Sequence, residues 1–498
     1  VRAHAIDLSA CRNVWIKNNK FLGYATLRVS PDGYGTTTDG LSDDRTYSEA
    51  VQIDQHTSAS FGFGAQDGTP CINVFFNNNV VGPNPARSDN TFTSWGVGIG
   101  GHGAVNDRYQ QNIVVEGNTF TDCIFAGVRA FKWVGVTVAG NVFRSCVRCV
   151  HVTPVTWDFV SANNPNGSAS GQGQAGSDYT ITGNTFKAYT SIGVFFTAPT
   201  SFNVGENPFY HKNVTITGNT FSDGTGSDAI NLRWVDGLTV TGNVFTNVGR
   251  GIFLNYVRNS IISANTAKDV TNEFTYWEDS LPSSGLAGGS ENIVISNNQA
   301  TNMGRTGINV NGISNFSISG NLLIGVSTEN STRFGIGVSS LSSNGLISGN
   351  TIIDGGATNK PDYSIEITSS CSNVSLGSNK VFAGVSGKVH NVSPSAGRVV
   401  QGVMTIDSEG QGSTSTPGLL IRGFANSEGE ICVPSGETLS FGTFNETTEV
   451  YTSLSQLKES GDYELTQAGK GLVLKTPNGS SNYRIAIDNS GALTTTLV

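Results

Sequence analysis

Asn213-Val214-Thr215-Ile216-Thr217-Gly218-Asn219-Thr220-Phe221 alternates apolar and polar side chains, bends at Gly-Asn, and resumes with an apolar residue two positions on. Alternation at period two makes a strand with one buried face, and Gly-Asn supplies a residue tolerant of left-handed dihedrals where the chain turns. The pattern recurs as NVWIKNNKF from Asn13, NVFFNNNVV from Asn73, NIVVEGNTF from Asn112, GVTVAGNVF from Gly135, DYTITGNTF from Asp178 and GLTVTGNVF from Gly237. Weaker copies follow from Asn259, Asn292, Asn315, Asn344 and Asn373, making twelve in all.

From Asn118 onward the marker asparagines (Asn141, Asn184, Asn219, Asn243, Asn265, Asn298, Asn321, Asn350, Asn379) are 22 to 43 residues apart. Such periods belong to solenoids, and the Leu spacing of a leucine-rich repeat is missing. Coils stacked at about 4.8 Å would align the asparagines as a hydrogen-bonded ladder and give a rod of roughly 55–60 Å. The expected fold is all-β: a right-handed parallel β-helix over residues 1–394, then a small C-terminal β-rich domain over 395–498. Periodicity fades after Asn379, so 389–397 reads as a linker.

Composition agrees, since 62 glycines, 13% charged and 37% hydrophobic residues favour short strands with tight turns over helix. A net charge of −9 without a Lys/Arg cluster argues against nucleic acid as partner. No apolar run is long enough for membrane insertion, and Val1-Arg2-Ala3-His4 lacks the regions of a signal peptide. The chain begins as if inside a coil, so a preceding N-terminal part is expected. Its seven cysteines are an odd number and read as buried free thiols; Cys146-Val147-Arg148-Cys149 has no second ligand pair, and no metal or cofactor is assigned.

Each marker is followed by a second strand, among them HAIDL, AVQID, VGIGGH, AGVRAF, RCVHVT, IGVFFT, DAINLRW and RGIFLNY. Aligning their central apolar residues, Ile6 with Ile53 and Ile99, gives an outward column of Asp7, Asp54, Gly100, Arg129, His151, Phe195, Asn231, Phe253, Asn309, Gly337 and Glu366. Insertions at 25–48, 55–70, 83–110, 153–177, 198–211 and 271–290 crowd the early coils, where binding residues concentrate on a rigid solenoid. Glycosidic hydrolysis needs one protonated and one ionised carboxyl group, so Asp7 and Asp54, on adjacent coils, are the expected acid and base. Gly98 and Gly100 would leave the next coil bare, with His102 and Arg129 above it. Glu49, Asp67, Trp95, Trp133, His151, Asn231 and Arg233 are the expected substrate contacts, Glu49 falling on the inward parity if the strand is regular and so standing either at a corner or as a buried acid that needs a partner. Trp157, Trp234, Phe131, Phe195 and Tyr210 are further stacking candidates.

The Asn-marked coils resemble pectin-lyase-like β-helices, and with GEICVPSGETLSFG and GSSNYRIAIDNSGALTTTLV near the end the chain resembles a bacteriophage tailspike depolymerase. The resemblance implies an endo-acting enzyme that cleaves a capsule, exopolysaccharide or O-antigen outside the cell, carried on a virion tail as a homotrimer held by its C-terminal domain. It departs from the family in lacking a particle-binding N-terminal domain and the Lys/Arg triad of pectate lyases. Hydrolysis is favoured; the alternatives are β-elimination on a uronate-containing glycan, with His102 or His151 as base and Arg129 as neutralising group, and a non-catalytic glycan-binding adhesin.

Overall fold

The computed structural model describes residues 4–23, 48–56, 68–85, 94–101, 105–155, 173–197, 209–279 and 289–393, and the backbone strands 438–445, 450–458, 463–465, 472–475, 482–487 and 493–497. The chain divides into two compact units, residues 1–405 and 406–498. The first is a right-handed parallel β-helix whose strands pair in parallel from coil to coil. Three sheets run along it. Sheet one extends from Ile6–Ser9 to Gly387–Asn391, sheet two from Arg12–Lys17 to Ser372–Leu376, and the narrow sheet three from Lys20–Leu22 to Lys380–Val381.

The expected asparagine ladder is present between sheets two and three. Asn118 Oδ1 accepts from Asn79 N at 2.8 Å and Asn79 Nδ2 at 3.1 Å, while Asn118 Nδ2 reaches Phe76 O and Asn141 Oδ1 at 2.7 and 2.9 Å. The unit repeats from Asn19 to Asn379. A buried amide left unpaired would cost roughly 1–3 kcal/mol, so each rung is satisfied from both sides. The preceding Gly218 has φ +62 with open space where a Cβ would stand, so the left-handed turn alone demands glycine there. An exposed second ladder, unforeseen, opens the strands of sheet two: Asn13, Asn73 and Asn112 have positive φ, and their side chains link at 2.8 Å.

Inside, the phenylalanine two residues after the ladder asparagine stacks on its neighbours. Phe120–Phe143, Phe143–Phe186, Phe186–Phe221 and Phe221–Phe245 have centroids 4.6 to 5.1 Å apart. Cys71, Cys123, Cys146, Cys149 and Cys371 are buried free thiols and Cys11 is partly buried; Cys432 lies outside the described residues.

Two expectations are corrected. The supposed linker begins as a further rung, because Gly387–Asn391 pairs with Tyr363–Ile367 and Val389 lies opposite Ile365. Thr275–Glu278 is another rung of sheet one, with Thr275 in the place that other coils give to Ile or Val. In the C-terminal unit, 438–465 and 472–497 each contain a three-stranded antiparallel sheet.

Candidate functional site

Sheet one carries most of the candidate residues, and its lateral register revises the expected column. Ile6 pairs with Val51, Asp7 with Gln52, Leu8 with Ile53 and Ser9 with Asp54. Val51 and Ile53 both face inward, so a shift of two residues preserves the burial pattern and composition cannot choose between the registers. Asp7 and Asp54 share a face but lie diagonally, with backbones about 8 Å apart instead of one coil spacing. Asp7 is exposed, and the Asp54 carboxylate accepts a hydrogen bond from Gln52. Glu49 is wholly buried and paired with His4 Nδ1 at 3.1 Å; through Val97 and Ala126 it lies in register with Arg148, so it does not occupy the inward row expected of it. His102, Asp67 and Trp157 lie outside the described residues.

Gly98 answers to the core, since a Cβ there would stand 2.4 Å from the Phe120 ring. Gly100 does face outward, and a Cβ on it would meet the Arg129 Cβ at 2.9 Å. Trp95 and Trp133 are built into the hydrophobic core and present no ring to a ligand. Trp234 is buried in a stack with Tyr210 and Tyr256.

The best-formed constellation lies further along the same face. One outward row runs Arg148, Ile192, Asp228, Arg250 across successive coils, and Glu273 follows opposite Arg250, its carbonyl bonded to Gly251 N. The next row runs Arg129, His151, Phe195, Asn231, Phe253, Tyr276. Arg250 joins two acids from its two neighbouring coils, with Nη1 3.3 Å from Asp228 Oδ1 and Nε 3.0 Å from Glu273 Oε2. Asn231 donates to Asp228 Oδ2 at 2.7 Å, and Arg233 Nε reaches Asn231 Oδ1 at 3.4 Å. Burial pushes the Asp228 carboxyl above its ordinary range, and Arg250 and Asn231 oppose this only in part. The shift of Asp228 is in the direction that a general acid needs.

Rings and cations alternate around these acids. Arg148 lies 4.9 Å from the centroid of Phe125 and 5.8 Å from that of Phe195; Arg233 lies 6.0 Å from Phe195 and 5.6 Å from Phe253; Arg250 lies 5.2 Å from Phe253 and 4.9 Å from Tyr276. Arg129 sits over Phe125 and Phe131. His151 stacks on Phe195 at 5.2 Å, and burial together with Arg148 and Arg129 holds it well below its usual pKa, hence neutral. Sequence reasoning placed Arg129, His151, Asn231 and Arg233 here but missed Asp228, Arg250 and Glu273. Strict alternation hid Asp228, which shares the parity of the inward Ile230 and is displaced from it because Ala229 and Ile230 both enter the core, and Glu273 preceded the unrecognised rung.

A family model described as right handed beta helix region matches residues 174–285. The chain is 28% identical over 149 residues to plasmin and fibronectin-binding protein A of Streptococcus pneumoniae, an alignment covering 30% of this chain and 19% of that protein. The chain thus spans about a fifth of that relative's length. The crystal structure of PfbA, a surface adhesin of the same organism, is 20% identical with a TM-score of 0.35, covering 63% of this chain and 58% of that one. The pre-mature gene product 12 of bacteriophage phi29 is 13% identical with a TM-score of 0.42, covering 99% and 73%. The tailspike protein of Escherichia coli bacteriophage HK620, solved with a pentasaccharide, is 9% identical with a TM-score of 0.40, covering 71% and 63%.

Proposed function

We propose that this chain is an endo-acting glycoside hydrolase of a bacterial surface polysaccharide, which it binds along the outer face of sheet one and cuts between Asp228 and Glu273. The observation that carries the reading is the pair of largely buried carboxyl groups set on the two sides of Arg250, one of them raised toward its protonated form. Asp228 donates a proton to the glycosidic oxygen and Glu273 activates water, the two acids standing two coils apart in one row. Phe195, Phe253 and Tyr276 supply stacking faces for sugar rings. Asp7 and Asp54, with Arg129 and His102, are the rival location for the same chemistry.

The reading includes work outside the cell, on a phage tail or a cell surface, and assembly as a homotrimer clasped by residues 395–498. No helix among the described residues is long and apolar enough to cross a membrane. A non-catalytic adhesin is the second reading, favoured by the stretch similar to the pneumococcal binding protein. A lyase reading rests on the neutral His151 between two arginines.

Incubation with capsular, exopolysaccharide and O-chain preparations from a panel of bacteria, followed by mass spectrometry, separates these. Hydrolysis predicts shortened chains with new reducing ends and saturated termini. Unsaturated uronate termini would replace it with β-elimination, and bound polymer of unchanged length would leave the adhesin.

A further inference from the structure

We infer that Lys132 and Gln174 become joined by a side-chain amide, a cross-link that the chain makes within itself with Asp107 moving the proton. The observation behind it is a carboxamide held at both ends beside a buried amine. Gln174 Nε2 donates to Asp107 Oδ1 at 2.7 Å and to Asn106 Oδ1 at 2.8 Å. Gln174 Oε1 accepts from the Asp107 backbone N–H at 3.1 Å and from Lys132 Nζ. A carbonyl bond is about 1.2 Å long, so an amine hydrogen-bonded to Oε1 stands within roughly 4 Å of Cδ behind it.

Three separate segments bring these groups together. Val105-Asn106-Asp107-Arg108 is a turn closed by Arg108 N–H to Val105 O at 3.1 Å, with Asp107 at φ +55. Lys132 occupies the corner between Ala126–Phe131 and Trp133–Ala139, and its Nζ also donates to Val105 O at 2.7 Å. Gln174 is fixed by a two-way backbone bridge to Val155, at 2.7 and 2.9 Å. The titratable groups facing the amine are Asp107 and Tyr109, whose ring centroid lies 4.2 Å from Nζ; burial and Asp107 push the Tyr109 phenol up, so it stays neutral. Burial pushes Lys132 down to about 7, which leaves about half of the amine as free base near neutral pH.

That free amine attacks Cδ. The Nζ–Cδ bond forms, Oε1 takes up negative charge against the Asp107 N–H, and the Asp107 carboxylate carries one proton from Nζ to Nε2. The Cδ–Nε2 bond then breaks and ammonia leaves. One amide replaces another, so the step needs no oxidant or co-reactant. Asp107 is exposed, which gives the ammonia a path to water. Titration of Lys132 as an amine belongs to the chain before this step. The link fastens the paired residues Val155 and Gln174 to the corner at Lys132, bridging 42 positions of sequence.

The test is intact mass spectrometry of the whole chain after a day at about pH 9 and at about pH 6. A species about 17 Da below the sequence mass, the loss of one ammonia, should grow in faster at the higher pH. Succinimide formation at Asn-Gly steps loses the same mass, so the tryptic map decides. Residues 130–144, uncut at Lys132, should appear joined to residues 149–187, which hold Gln174. Asp107→Asn, on the exposed turn, should unfold at the temperature of unlinked wild type and link about a hundredfold more slowly. Lys132→Arg should not link at all. Full mass retained at pH 9, a 17 Da loss without the branched peptide, or linking of Asp107→Asn at the wild-type rate would overturn the inference.

Discussion

Lys132 shows how far one side chain can depart from what its type suggests. It turns the corner from sheet one to sheet two with φ +54, wholly buried, its Nζ donating to Val105 O at 2.7 Å and to Gln174 Oε1, and lying 4.2 Å from the Tyr109 centroid. Burial pushes its pKa down to about 7 from 10.5, with Asp107 opposing. Between those values the unfolded chain holds the proton that the folded chain has lost, so this group makes stability rise with pH from about 7 to 10.5. Lys132→Met should flatten that part of the melting-temperature profile; an unchanged slope would show that Lys132 is charged where it lies. Asp228 obeys the opposite sign, because its raised pKa keeps the useful form below that value. Turnover should fall as pH rises through it, and in Asp228→Asn residual turnover should lose this alkaline limb. Neither residue's state was legible in the sequence, since both shifts come from what neighbouring coils and segments place around the group.

The rung is the element on which the molecule is built, and most of it was legible. The asparagine marker, the left-handed residue before it and the phenylalanine after it each follow from local chemistry, and each recurs in the structure where the sequence repeats it. Register was not legible: AVQID offers two inward residues, and only pairing with Ile6–Ser9 selects Val51 over Ile53 opposite Ile6. That slip of two is why Asp54 was set beside Asp7. The rung at Thr275–Glu278 escaped because its central residue is threonine, and with it went Glu273. The two ladders differ in cost. Asn219 Oδ1 accepts from Asn184 N and Nδ2, and its Nδ2 donates to Ile181 O and Asn243 Oδ1, all buried. Asn219→Ala should therefore lose about 2–4 kcal/mol. Asn292, exposed in the outer ladder, should lose under about 1 kcal/mol on the same change. Urea unfolding of the two variants checks the contrast, and equal losses would mean that the buried ladder is ornamental.

At the scale of the whole molecule, Phe253 and Tyr256 of sheet one's side do not form an exposed apolar patch of the kind that marks a subunit interface. Phe253 and Tyr256 are buried, under arginines or within the Tyr210–Trp234–Tyr256 stack. Exposed apolar side chains lie instead along one column of sheet two, at Trp15, Ile261, Val294 and Leu346. A trimer using them should scatter light as 3 × 52.3 = 156.9 kDa, and a mass of 52.3 kDa would refute it. The central claim is the position of the cutting centre on sheet one. The measurement that tests it most directly is the size distribution of a susceptible polysaccharide after treatment with wild-type protein, Asp228→Asn, Glu273→Gln and Asp54→Asn at equal concentration. The account predicts that the Asp228 and Glu273 variants stay folded and leave the polymer at full length, while Asp54→Asn shortens it as wild type does. Full cutting by Asp228→Asn, or loss of cutting in Asp54→Asn alone, would contradict it.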